Sequence, residues 1–97
     1  MTQRIQQTCP LCKGPATFLF FDYNERKSFD CKACGQYIIT RTVESKVAEF
    51  SEEHLDQIRK LVASTNDETI VEIARAQQDS LNGVTAEVIK RSSRNIP

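Results

Sequence analysis

Short apolar stretches rich in aromatic and β-branched residues dominate the first half of the chain. The stretch ATFLFF at 16–21 lies between a Gly-Pro pair and the polar segment DYNERK, which is typical of a strand that enters a turn. Residues 28–31 are predicted to form the returning strand, and YIITRTV at 37–43 a third strand. Residues 1–8 are polar and are predicted to be a frayed leader.

The spacing of apolar residues changes to a helical period after Phe50. Ser51 is a favourable N-cap, and the acidic residues that follow it suit the positive end of a helix dipole. A helix is predicted over 51–63, because apolar side chains recur every three or four positions at Leu55, Ile58, Leu61 and Val62.

Two further helices are predicted after residue 64. Thr65 and Glu68 have the spacing of a capping box, and apolar residues follow from Ile70 to Ala76, which favours a helix of about three turns. The Asn-Gly pair at 82–83 ends it, and Thr85 is placed to cap a last short helix. The predicted fold class is α+β, with three short antiparallel strands followed by two or three α-helices.

Composition and charge limit what such a chain can do. Hydrophobic residues make up 39% of 97 positions and Trp is absent, so apolar burial alone leaves the N-terminal half short of stability. The formal net charge is zero, and residues 51–79 carry seven acidic and three basic side chains. No large basic face is visible, which argues against strong sequence-independent binding to phosphate.

Four cysteines form two Cys-x-x-Cys pairs, CPLC at 9–12 and CKAC at 31–34, separated by 18 residues. The polar N-terminus lacks a secretory signal and no apolar run is long enough to span a membrane, so a cytoplasmic protein with reduced thiols is predicted. In that compartment paired motifs of this kind predict metal ligands. Glycines at 14 and 35 favour the turns that bring two thiolates together.

The predicted metal is one structural Zn²⁺ bound by Cys9, Cys12, Cys31 and Cys34, since zinc accepts four thiolates in a tetrahedron. Rubredoxin-like iron and a dithiol redox pair are less favoured alternatives. This motif resembles that of the zinc-ribbon family, and the N-terminal ribbon of several poorly characterised prokaryotic proteins in particular. The resemblance covers roughly residues 7–45. The predicted domains are a zinc ribbon over residues 1–46 and a helical segment over 47–97, packed on the ribbon, on a partner or on a second copy.

Catalysis is not expected. Four thiolates leave no open position for a reactive water, and the chain's one histidine, His54, falls at the start of the predicted helix. No nucleophile-base spacing, phosphate-binding loop or paired-carboxylate motif is present. The function predicted first is therefore protein–protein interaction, through large side chains of 18–21 left exposed on the ribbon. Self-association through the helical segment is a further possibility.

The alternative prediction is nucleic-acid binding. Tyr23, Arg26 and Lys27 in the first hairpin offer a ring and two cations. The segment from residue 69 to 95 resembles a divergent helix-turn-helix with too long a spacing, whose second helix would contact nucleic acid through Lys90, Arg91 and Arg94.

Overall fold

A six-stranded mixed sheet forms the centre of the molecule in the computed structural model, which describes residues 4–21, 23, 25–75 and 84–93. Its strands lie side by side in chain order: β1 (Ile5–Thr8), β2 (Pro15–Phe21), β3 (Arg26–Cys31), β4 (Gly35–Thr40), β5 (Thr69–Arg75) and β6 (Val84–Lys90). All neighbouring strands are antiparallel except β4 and β5, which are parallel. Helices α1 (Arg41–Glu44) and α2 (Glu52–Ala63) connect β4 to β5, and short 3₁₀ turns occupy Val47–Glu49 and Arg91–Ser93.

The three predicted strands are confirmed as β2, β3 and β4, with a shorter third strand. This strand ends at Thr40, whose side-chain oxygen accepts a hydrogen bond from the Val43 amide and so starts α1. The predicted frayed leader is wrong at residues 5–8, which pair with β2 as strand β1.

The predicted helix at 51–63 is confirmed as α2. The Ser51 hydroxyl accepts a hydrogen bond from the His54 amide at 3.1 Å, as expected for an N-cap. Its buried residues, Leu55, Ile58 and Val62, lie on one stripe of the helix. This stripe joins the same core as the side chains on one face of the sheet.

The second and third predicted helices are wrong, because their described parts are strands β5 and β6, and the break predicted at 82–83 lies outside the described residues. The predicted fold of three strands followed by two or three helices is therefore wrong too, since the described chain forms a six-stranded mixed sheet. In β5 the side chains of Ile70 and Val71 point to opposite faces of the sheet and are both fully buried. A strand buried on both faces has a continuous apolar run, in which a helical spacing is found by chance. The predicted capping box is a turn instead, in which the Asn66 side chain accepts hydrogen bonds from the Glu68 amide and the Thr69 hydroxyl.

One hydrophobic core contains residues from both halves of the chain. A cross-strand row of Phe18, Phe29, Tyr37 and Val71 crosses the sheet, with ring centroids 5.4 Å apart at both aromatic contacts. The buried cysteines and the apolar residues of α2 belong to the same core. The cysteine cluster and helix α2 therefore belong to one packed core.

Candidate metal centre

The four cysteine sulfurs converge at one end of the sheet. Cys9 and Cys12 lie in the connection between β1 and β2, Cys31 is the last residue of β3, and Cys34 directly precedes β4. The four Sγ atoms all lie within 4.8 Å of one another. The Cys12–Cys31 and Cys9–Cys34 sulfur distances are 3.4 and 3.9 Å.

This arrangement fits one zinc ion. Tetrahedral zinc with Zn–S bonds of about 2.3 Å requires sulfurs about 3.8 Å apart, close to both of these distances. All four cysteines are free thiols, and none is paired in a disulfide. The site is consistent with one structural Zn²⁺, as predicted. The cluster of four cysteine sulfurs identifies the protein as a small zinc-binding domain.

The two Cys-x-x-Cys turns share one backbone feature. The residue immediately after the second cysteine of each pair has a positive φ, 67° at Lys13 and 108° at Gly35. The expected role of Gly35 is thus confirmed, since only glycine adopts its φ easily. In the first turn the Cys9 amide donates to the Gly14 carbonyl at 2.7 Å, and the Lys13 amide donates to the Cys9 carbonyl at 2.8 Å.

Burial and hydrogen bonding differ among the four sulfurs. Cys9, Cys31 and Cys34 are buried, whereas Cys12 is partly exposed. Burial, together with the neighbouring sulfurs, raises the pKa of Cys34, and burial also raises the pKa of Cys9. Burial opposes ionisation of Cys31 too, but hydrogen bonds, chiefly from the Cys34 amide, lower its pKa overall. Bound Zn²⁺ would hold all four as thiolates.

Tyr37 contacts the cluster, although nothing in the sequence indicated this role. Its hydroxyl lies 3.1 Å from the Cys9 sulfur, and it donates to that sulfur when the cysteine is a thiolate. Burial and this contact raise the pKa of Tyr37, so the hydroxyl keeps its proton. The contact depends on the register of β4, for which the sequence carries no local signal.

Helix α2 contacts both cysteine turns. The Arg59 guanidinium donates to the carbonyl of Leu11, inside the first pair, at 2.7 Å. A Cβ at Gly35, after the second pair, would lie 3.4 Å from a methyl carbon of Val62. These contacts link the metal centre to the helical connection between β4 and β5.

Within the described ranges, this cluster is the one group of three or more His, Cys, Asp or Glu side chains close enough to bind a metal. His54 lies elsewhere, stacked on the ring of Phe50 with centroids 4.6 Å apart. Four sulfur ligands complete a tetrahedral shell, so the chemistry that this site supplies is structural cross-linking of the two turns.

The predicted nucleic-acid contacts that the structure describes lie at two ends of the sheet, because Arg26 and Lys27 pair with the end of β4 whereas Lys90 lies opposite Thr69 at the start of β5, which runs parallel to β4. In the hairpin, Arg26 lies 3.7 Å from Glu72 and Lys27 lies 2.8 Å from Glu44. The Arg91 guanidinium donates to the Gln36 side chain at 2.7 Å, while Lys90 is exposed on β6. Arg94 falls outside the described residues. The helix-turn-helix prediction is wrong, because 69–75 and 84–90 are strands.

Comparison of the chain with family models, curated proteins and solved structures finds no match. The zinc-ribbon resemblance therefore depends on the four cysteines and the strands beside them. In the described part of the chain, no helix combines the length and apolar character needed to cross a bilayer.

Proposed function

We propose that this protein is a binding module that acts through protein–protein interaction, with zinc in a structural role. The observation that carries the proposal is an exposed apolar surface at the end of the sheet away from the cysteines. Ile5 and Phe20 lie on one face of β1 and β2, and Tyr23 lies in the turn after β2; the three side chains are 48%, 39% and 97% exposed. Exposed aromatic residues grouped in this way are typical of partner contacts.

Tyr23 is an unusual residue for its position. It follows β2 with a φ of 58°, in the left-handed region that β-carbon sterics disfavour. Glycine or asparagine would suit this backbone better, so folding alone does not account for a nearly fully exposed tyrosine. A binding role for the ring explains it.

The same hairpin is poorly suited to phosphate. Lys27 is surrounded by the rings of Phe18, Phe20 and Phe29, at 4.3 to 5.9 Å from their centroids, and also pairs with Glu44. Its ammonium is therefore already neutralised within the fold. Nucleic-acid binding thus has less support than protein binding, and a salt titration tests it, because phosphate contacts weaken steeply as salt displaces them.

Photocrosslinking tests the proposed function. Tyr23 is replaced by p-benzoylphenylalanine in the full-length, zinc-loaded chain, and exposed Glu53 on α2 is replaced in the matched control. We expect one stoichiometric protein adduct from the source cell with the label at 23 and none with the label at 53. Equal labelling at both positions, or none at 23, would contradict the proposal.

Substitution of Tyr23 by glycine is expected to separate binding from stability. Glycine adopts the left-handed conformation without strain, so the substitution should raise the free energy of unfolding by about 0.5–1 kcal/mol. The protein identified by crosslinking should bind this variant more weakly. Chemical denaturation and a binding titration on the same variant measure the two effects. A glycine variant that binds as well as the parent chain would remove Tyr23 from the interface.

A further inference from the structure

Strand β1 is an edge of the sheet without the usual protection. Among the described strands it pairs with β2 alone, so its other side presents backbone N–H and C=O groups to which no described strand bonds. Natural edge strands are commonly protected by charged residues or proline. The sequence of β1, IQQT, has neither, and the guanidinium of the preceding Arg4 lies over β2 and β3, where it donates to the carbonyls of Thr17 and Ser28. The opposite edge strand β6, in contrast, exposes Glu87 and Lys90.

The two faces beside β1 differ in chemistry. On one face Ile5 lies opposite Phe18, and exposed Phe20 is the next residue of β2 on that face. The other face has an open cavity of about 400 Å³, lined by residues including Gln6, Thr17, Asp30 and Lys32. Gln6, Thr17 and Asp30 form one cross-strand row. Asp30 and Lys32 have opposite charges, so the cavity has no net charge from its lining.

We propose that an extended segment of a partner protein adds to the sheet alongside β1. Main-chain hydrogen bonds to β1 hold the segment, and its side chains alternate between the two faces. Apolar side chains contact Ile5 and Phe20, while uncharged polar side chains face Gln6 and the cavity. The side chains of β1 itself are uncharged, and the nearby charges of Arg4, Lys27 and Glu44 already have partners within the fold, so the segment needs no charge opposite them. This inference rests on the proposed protein-binding function and specifies how the partner is held.

The test uses linear twelve-residue peptides displayed on phage and selected against the zinc-loaded full chain. Enriched peptides are synthesised and titrated into ¹⁵N-labelled protein, and amide hydrogen exchange is followed by NMR. We expect the selected sequences to alternate apolar and uncharged polar residues. The outward-facing amides of residues 5–8 should exchange about tenfold or more slowly in the complex.

A matched pair of variants locates the site. Ile5→Lys and Val88→Lys change residues of similar exposure, 48% and 46%, at opposite edges of the sheet. We expect Ile5→Lys to weaken peptide binding about tenfold or more and Val88→Lys to change it less than about twofold. Both variants are first checked for parent-like amide spectra, and Gln6→Lys on the cavity side replaces Ile5→Lys if that variant does not fold.

Four results would overturn strand addition. Selected peptides that leave the β1 amides unprotected, or that bind Ile5→Lys as well as the parent, exclude this edge. Protection of β1 that increases with protein concentration and needs no peptide assigns the edge to a second copy of the chain. Crosslinking at Tyr23 without protection of β1 rejects the strand addition and leaves protein binding intact, so the two proposals fail separately.

Discussion

Removal of zinc is expected to unfold α2 and β5 together with the cysteine turns. A domain of 97 residues has a total stability of about 5–15 kcal/mol, whereas a structural zinc site contributes about 10–16 kcal/mol of coupled folding free energy. Loss of the metal therefore removes as much free energy as the whole fold has available. Because one core contains the cysteines, the sheet and α2, we expect one cooperative transition.

Helix α2 is unable to persist without the sheet. It has 12 residues, and isolated helices of this length are marginal in water. Burial of Leu55, Ile58 and Val62 contributes about 5–9 kcal/mol, at about 1.5–3 kcal/mol for each side chain. That contribution disappears when the apolar face of the sheet is disrupted.

The assay is an amide NMR spectrum of the zinc-loaded chain before and after a strong chelator, with zinc re-addition as the control for reversibility. The Cys34→Ser variant lacks one of the four zinc ligands and so tests the loss of zinc without a chelator. We expect amide dispersion to collapse throughout α2 and β5 as well as at 9–43. Retained helical shifts at 52–63 in the metal-free protein would refute the single core and support independent units at 1–46 and 47–97.

Three further predictions concern the surroundings of the metal and the partly buried ion pair of Lys27 and Glu44. Gly35→Ala should lower the free energy of unfolding by about 1–2 kcal/mol because its φ is 108°, and Gly14→Ala should lower it less; equal losses in denaturant titrations would contradict this. Tyr37→Phe should keep the fold but weaken zinc binding about tenfold through loss of its hydrogen bond to a cysteine sulfur, and an unchanged affinity in a chelator competition would exclude that role. Lys27→Ala should cost about 2–3 kcal/mol, because it leaves the carboxylate of Glu44 with the Gln7 amide but without its cation, in a pair whose side chains are 12% and 17% exposed. The double variant Lys27→Met with Glu44→Leu should recover most of that loss in thermal unfolding, and no recovery would show that the ion pair is not the cause.

The metal centre was predictable because its signal is local. Two Cys-x-x-Cys pairs and the turn residues beside them can be recognised without knowledge of the rest of the fold. The same holds for the N-cap at Ser51 and the hairpin of β2 and β3. The contacts of Tyr37 and Arg59 with the cysteine turns were not predictable. They join residues 28 and 48 positions apart in the chain, and neither residue belongs to a motif.

The secondary structure of the segment after residue 64 could not be predicted from its sequence pattern. Its apolar run fits a helix and a doubly buried strand equally well, and burial on the second face of the sheet decides between them. Ile70 is fully buried on the face of the sheet away from the core that α2 completes.

The sequence by itself determined a tetrahedral thiolate site, one helix and one hairpin, because each depends on residues close together in the chain. Only the tertiary structure decided that the chain after α2 adds two strands to the sheet. It also decided that β1 is an edge of the sheet formed by the described strands and that Lys27 is enclosed by aromatic rings. Pairing between distant strands has no local signature, since each strand gains its burial and hydrogen bonds from its neighbours.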